Sequence, residues 1–268
     1  MKHWTLLAVL GVGLMAGSHA IAADEAARAE LASTGKLRVG VAFAPSASAF
    51  FVVKDASGAP RGITVDLGEA LGKKLGVPVE IVAAPNSGEL TDLTAKAAID
   101  VAFMPVDAER KARIDFGPAY FALESTCMVA PNSSAKANLD LNRPGTKVVG
   151  IANTTTVRKA REVLPLATVT DVPSVGEAIA LFKEGKVDAV ALSRDSLAGI
   201  VGQIPGARIL ADAFQSTGIA VAVPKNRPAA LAYASAFIEE AKTNGTLRAI
   251  FDKAGRKDDV IAPAGARY

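Results

Sequence analysis

Apolar residues along this chain fall in short runs, each followed by a longer amphipathic stretch, and the alternation repeats. "KLRVGVAF" (36–43) reads as a strand, "ITVDLGEALGKKLG" (63–76) as a helix closed by Gly76 with Pro78 beyond it, and "VEIVAAP" (79–85) as a second strand. A helix over 87–97 and a strand in "IDVAFMP" (99–105) complete a βαβαβ series, the pattern of a parallel sheet covered by helices. A second series follows: strand 147–152, helix 154–164, strand 167–172, helix 174–185 and strand 186–193. Both series end alike. An acid (Asp100, Asp188) opens an apolar strand, and a second acid (Asp107, Asp195) stands seven positions later.

These patterns predict an α/β protein of two related lobes. The stretch 211–224 reads as a strand leaving the second lobe, and 227–255 as a helical tail, broken at Asn244-Gly245, that returns to the first. A crossing in the other direction falls near 120–129. The expected division is a first lobe of 23–120 and 220–268, a second of 121–219, and two hinge strands between them. Ligands of open α/β sheets sit beyond the carboxyl ends of the strands, so a cleft between the lobes is the expected site.

The first 22 residues change the picture. Lys2, an uncharged apolar stretch from about Thr5 to Ala16 and the small residues Ala20-Ile21-Ala22 have the order of a secretory signal peptide. Export to the periplasm is expected. No Cys stands at the cleavage region, so a lipid anchor is not expected, and no later run reaches the roughly 18 apolar residues of a membrane-spanning helix. Cleavage would remove both histidines, His3 and His19, and the single tryptophan, Trp4. A mature chain without His rules out Ser-His-Asp and Cys-His nucleophile systems and the usual zinc site, so no metal or other cofactor is expected. Cys127, the one Cys, cannot form an internal disulfide. The formal charge of +3, with both signs interspersed, is far from a nucleic-acid footprint.

Five segments carry a resemblance to a known family: "GKLRVGVAF" (35–43), "DASGAPRGITVDLGEALGKKLGV" (55–77), "IDVAFMPVDAERKARIDFGPAY" (99–120), "VVGIANTTT" (148–156) and "GKVDAVALS" (185–193). In order and spacing the chain resembles the extracellular solute-binding proteins, family 3, of polar-amino-acid ABC transporters. The resemblance implies a periplasmic-binding-protein fold, capture of a small-molecule ligand by hinge closure, and delivery to an ABC permease by a monomeric receptor. It implies that Arg110 grips the ligand's α-carboxylate, a task suited to the planar guanidinium fork. It also points to Thr154 and Thr155, where a helix opens and backbone N–H groups can receive an anion. Ser193 departs from the family, which places an Asp there against the ligand's ammonium. Either Asp195 reaches the amine by a shifted route, or the ligand has no amine and Arg194 holds a second acidic group. Pro105 is a parallel departure, standing where the family often has a hydroxyl.

Several of these residues also have purely structural roles open to them. Asp107 suits an N-cap, and Asp195 a second N-cap ahead of "SLAGIV". Phe43, Phe50 and Phe51 would wall the cleft or simply join a core, and Cys127 reads as a small buried hydrophobe. Glu124, Ser125 and Thr126 lie in the first crossing, facing the cleft or bonding to the other crossing strand. The leading expectation is a non-enzymatic periplasmic receptor for a small carboxylate. The alternatives are a lyase of the cyclohexadienyl dehydratase type on the same scaffold, for which Glu124 is the one candidate general acid, and a ligand sensor acting through a membrane partner.

Overall fold

The computed structural model describes residues 12–43, 52–54 and 57–266. In chain order the elements are α1 (Val12–Leu31), β1 (Leu37–Ala42), β2 (Val53–Lys54), β3 (Pro60–Arg61), α2 (Ile63–Leu75), β4 (Val79–Ala84), α3 (Ser87–Ala95), β5 (Val101–Pro105), α4 (Ala108–Arg113) and the long β6 (Ile114–Val129). A 3-10 turn (Asn138–Leu141) leads to β7 (Lys147–Ile151), α5 (Thr155–Val163), β8 (Thr168–Val172), α6 (Val175–Lys183), β9 (Ala189–Ser193), α7 (Arg194–Val201), β10 (Arg208–Ile209), β11 (Gln215–Pro224), α8 (Pro228–Thr243) and α9 (Thr246–Lys253). The predicted strands and helices are present within a few residues of their expected bounds. The helix stop expected at Gly76 is met by a left-handed residue, φ 70°, and Gly245, φ 84°, separates α8 from α9.

Among the described residues the main sheet runs β4-β1-β5-β11-β6-β9-β7-β8. β4, β1 and β5 are mutually parallel, as are β9, β7 and β8, so each βαβαβ series builds the same three-strand unit. Between the units run β11 and β6, antiparallel to each other and to their outer neighbours. Their pairing slips register between Ile219 and Ala222, irregularities that bend a strand locally.

The repeated acids explain how each unit keeps its register. Asp100 Oδ2 accepts the backbone N–H of Arg38 at 2.9 Å, and Asp188 Oδ2 accepts that of Lys147 at 2.8 Å. In each unit an acid before the third strand therefore fixes the start of the first. Asp100 is fully buried, so its charge requires a partner, which Arg38 provides through Nη2 at 2.6 Å and Nε at 2.9 Å.

Apolar side chains gather in separate cores. One joins α2, α8, α9 and the inner face of β1 and β5, with Leu71, Phe103, Ile238 and Phe251 buried. Two others lie around β7 and β9, through Val149, Leu192 and Leu197 on one side and Val148, Leu164 and Leu210 on the other, and a further one packs Leu90, Ile99 and Met104 against the opposite face of the first unit. α1 runs across the expected cleavage point after Ala22; of its described side chains, Ala27 and Leu31 are buried. Glu30 accepts the N–H of Ala230 at 2.8 Å, capping α8, whose own Arg227 makes no cap. These contacts of α1 lie beyond residue 22.

Candidate functional site

Both parallel units end at one cleft. β1 delivers Ala42 and Phe43 to it, β4 Pro85 and Asn86, and β5 Pro105; β7 delivers Ile151, and β9 Leu192 and Ser193. The cleft holds about 630 Å³ including its open mouth. Its walls combine the apolar Phe43, Leu123, Ile151, Val175 and Leu192 with the hydroxyls of Ser87, Thr154, Thr155, Thr156, Ser193 and Ser196.

Arg110 lies just behind this lining. β5 ends at Pro105, and the Asp107 side chain accepts the Arg110 N–H at 2.8 Å, so Asp107 is the N-cap of α4. In that short helix Lys111 and Arg113 are exposed while Arg110, only 2% exposed, turns back beneath the strand. Its Nη1 donates to Pro105 O at 2.8 Å, and its Nη2 donates to Ser87 Oγ at 2.9 Å and Asn153 O at 3.2 Å. All three acceptors are neutral. Burial pulls the guanidinium pKa down to about 10, with nearby Asp107 opposing and Arg158 adding to the effect. The cation persists at neutral pH, with Asp107 and Glu109 near it but its direct hydrogen bonds made to neutral acceptors.

Contacts between the two units close over Arg110. Asn153 adopts φ 59°, the left-handed region in which Asn is one of the few tolerated side chains, and presents its carbonyl to Arg110. Opposite stands Gly88, where an added Cβ would lie 2.4 Å from Asn153 Cβ. Arg158 of α5 pairs with Asp107 and, at 3.1 Å, with Glu109.

On the far wall, Thr154 caps α5, accepting from Val157 N at 3.2 Å and donating to Ile151 O at 2.8 Å. Its hydroxyl is thereby committed on both sides. The first-turn N–H groups of Thr155 and Thr156 have no intrahelical acceptor and stand at the cleft wall. Thr156 Oγ1 lies 2.9 Å from Ser125 Oγ of β6. Ser193 caps α7 through Ser196 N at 3.3 Å and donates to Ser196 Oγ at 2.8 Å.

Of the expected site residues, the structure brings Phe43, Thr154, Thr155 and Ser193 to the cleft wall with Arg110 behind it. Phe51 and Phe50 lie outside the described residues. Arg194, Asp195 and Glu124 stand instead in a second cavity, against the segment after α9. Because α7 starts at Arg194, its cap Ser193 and Ser196 share the cleft-facing side while residues 194 and 195 are rotated away. Strand alternation sends Glu124 to the face opposite Ser125. Arg194 Nε donates to Glu124 at 2.7 Å, and Asp195 pairs with Arg256. Asp195 is also not the cap of its helix. Ser87, Asn86 and Ser196 went unnoticed in the sequence, although Asn-Ser after a strand is itself a cap signature: Asn86 accepts from Gly88 N and Glu89 N, both at 2.9 Å. Thr126 bonds Asp212 O at 2.7 Å, in the segment before β11, and Cys127 is wholly buried in a core, which pushes its thiol pKa up.

The sequence model of the bacterial extracellular solute-binding proteins, family 3, matches residues 39–257. The ABC transporter glutamine-binding protein GlnH of Bacillus subtilis (strain 168) is 24% identical over 219 residues, 78% of each chain. An ancestral arginine-binding protein, solved with glutamine bound, is 31% identical with a TM-score of 0.73, covering 83% of this chain and 98% of its own. An ancestral amino acid-binding protein described as a precursor of cyclohexadienyl dehydratase is 28% identical, TM-score 0.73, over 84% of this chain and 97% of its own.

Proposed function

The chain belongs to the bacterial extracellular solute-binding proteins, family 3, and from that premise we propose that it captures a small carboxylate, an amino acid or related organic acid, and delivers it to an ABC permease. Residues 23–120 with 220–268 form one lobe and 121–219 the other, and β6 and β11 act as the hinge on which they close. The protein works as an exported, periplasmic receptor with residues 1–22 removed. The names of the relatives, which bind glutamine and arginine, support a ligand of this size.

The observation that carries the reading is Arg110: a buried cation at the mouth of both units, bonded to neutral acceptors alone. A buried cation without a directly bonded carboxylate is costly, and a carboxylate entering the cleft supplies that partner. Binding is favoured over an elimination reaction because Glu124, the one candidate acid, lies outside the cleft and pairs with Arg194. Native mass spectrometry of freshly purified protein is expected to show a co-purified carboxylic acid that is lost from Arg110→Ala. Retention of the same bound species by that variant would overturn the assignment.

A further inference from the structure

Resting on the carboxylate-receptor reading, we propose that the ligand carries no α-ammonium: it is an organic acid with one carboxylate beside an oxo or hydroxyl group, on an apolar body. An ammonium taken into a closing cleft needs a carboxylate, since an unpaired buried charge costs far more than a surface one. Among the described residues no Asp or Glu lines this cleft. Residues 44–51, next to Phe43 in the chain, contain no ionisable side chain. Acids of the adjoining described segments are committed elsewhere. Asp107 caps α4 and pairs with Arg158, Asp195 pairs with Arg256, and Glu124 pairs with Arg194.

The field in the cleft has the wrong sign for an amine. Four helices begin at its wall: α3 at Ser87, α5 at Thr155, α6 at Val175 and α7 beside Ser193. Each N-terminus carries partial positive charge within its first turn. With Arg110 behind them, they make a surface suited to an anion and repellent to a cation. A single guanidinium argues for one carboxylate rather than two. The hydroxyls of Ser193 and Ser196 already bond to each other and retain acceptor and donor capacity for an oxo or hydroxyl oxygen of the ligand. Phe43, Leu123, Ile151 and Leu192 receive an apolar remainder.

Calorimetric titration of the purified protein tests this with matched probes: the α-keto, α-hydroxy and α-amino acids of the alanine, leucine and phenylalanine skeletons, with L-glutamine and L-arginine alongside. On at least one skeleton the keto or hydroxy acid is expected to bind at least about tenfold more tightly than its amino acid and than glutamine or arginine. Ser193→Asp, which places a carboxylate in the wall, is expected to shift that ratio at least about tenfold toward the amino acid. The inference is overturned if amino acids bind as tightly as or more tightly than their analogues throughout, or if Ser193→Asp leaves the ratio unchanged. If no carboxylate of any kind binds, or binding survives Arg110→Ala, it is the receptor reading that fails.

Discussion

Replacing Arg110 with Met separates the cost of the buried guanidinium from its use. Burial lowers the pKa from the ordinary guanidinium range to about 10, which at about 1.4 kcal/mol per unit means that keeping the cation costs the ligand-free protein about 3 kcal/mol. A Met of similar length removes that cost and refills the space. It also removes the bonds to Pro105 O, Ser87 Oγ and Asn153 O, each worth roughly 1.5 to 3 kcal/mol with a charged donor. The lost bonds outweigh the saved cost, so the free variant should unfold about 1.5 to 6 kcal/mol more easily than the parent, with Tm falling about 2 to 4 °C per kcal/mol for a chain of this size. Carboxylate binding should fall as well, because a charged hydrogen bond is worth roughly 1.5 to 3 kcal/mol, and its loss weakens affinity about ten- to over a hundredfold. Thermal denaturation and calorimetric titration with the tightest-binding carboxylate measure the two effects separately. A variant destabilised by more than about 3 kcal/mol that still binds normally would show Arg110 to be a structural cation and refute the reasoning.

The same guanidinium sets a pH dependence: carboxylate affinity should be level from about pH 6 to 9 and fall by up to tenfold per unit above about pH 10, where folded Arg110 loses its proton. Stability runs the other way, because between about pH 10 and 12.5 the unfolded chain keeps a proton that the fold releases, so Arg110's contribution rises with pH; an affinity unchanged at pH 11 would contradict both. Gly88→Ala places a Cβ 2.4 Å from Asn153 Cβ and should hold the units apart, weakening binding and abolishing ligand-induced compaction in X-ray scattering. Helix propensity keeps the variant about as stable as the parent, and compaction equal to the parent's would refute the steric argument. Asp195→Asn should cost about 1 to 3 kcal/mol by weakening the pairing with Arg256 and should speed amide exchange over 255–266 without changing affinity; loss of binding with those amides still protected would return Asp195 to the ligand.

Elements with strong periodicity were legible in the sequence. The strands of both units, the stop at Gly76 and the break at Gly245 follow from local rules, and the resemblance located Arg110 and the threonines after β7. Legibility ended where a side chain's direction depends on a helix phase of one or two residues. The sequence offered Asp195 as a cap and set Ser193 at the ligand; the structure starts α7 at Arg194 with Ser193 as its cap, and the roles of three consecutive residues follow from that phase. Glu124 beside Ser125 posed a similar ambiguity in a strand, because alternation separates the two faces of β6 but does not name the one that meets the cleft. Gly88 could not be read at all: its need for a missing Cβ arises from Asn153, distant in sequence and brought close only by the fold.

The two units show how one repeated design comes to hold a single charge. In each, an acid fixes the first strand, the third strand ends at the cleft, and a short helix follows. Asp107 and Asp195 hold equivalent places in the repeat, yet α4 starts one residue after Asp107 and α7 one residue before Asp195. Two residues of helix phase amount to a rotation of about 200°. In the first unit that phase lets Asp107 cap the helix and brings Arg110, three residues on, back under the strand. In the second, the same offset from Asp195 falls on Ala198, which faces the cavity shared with Arg256, while Ser193 and Ser196 take the cleft. With a serine rather than an acid as its cap, α7 adds no negative charge to the wall, and its phase turns the neighbouring Arg194 and Asp195 away from the cleft together, leaving Arg110 and the helix N-termini to set its sign.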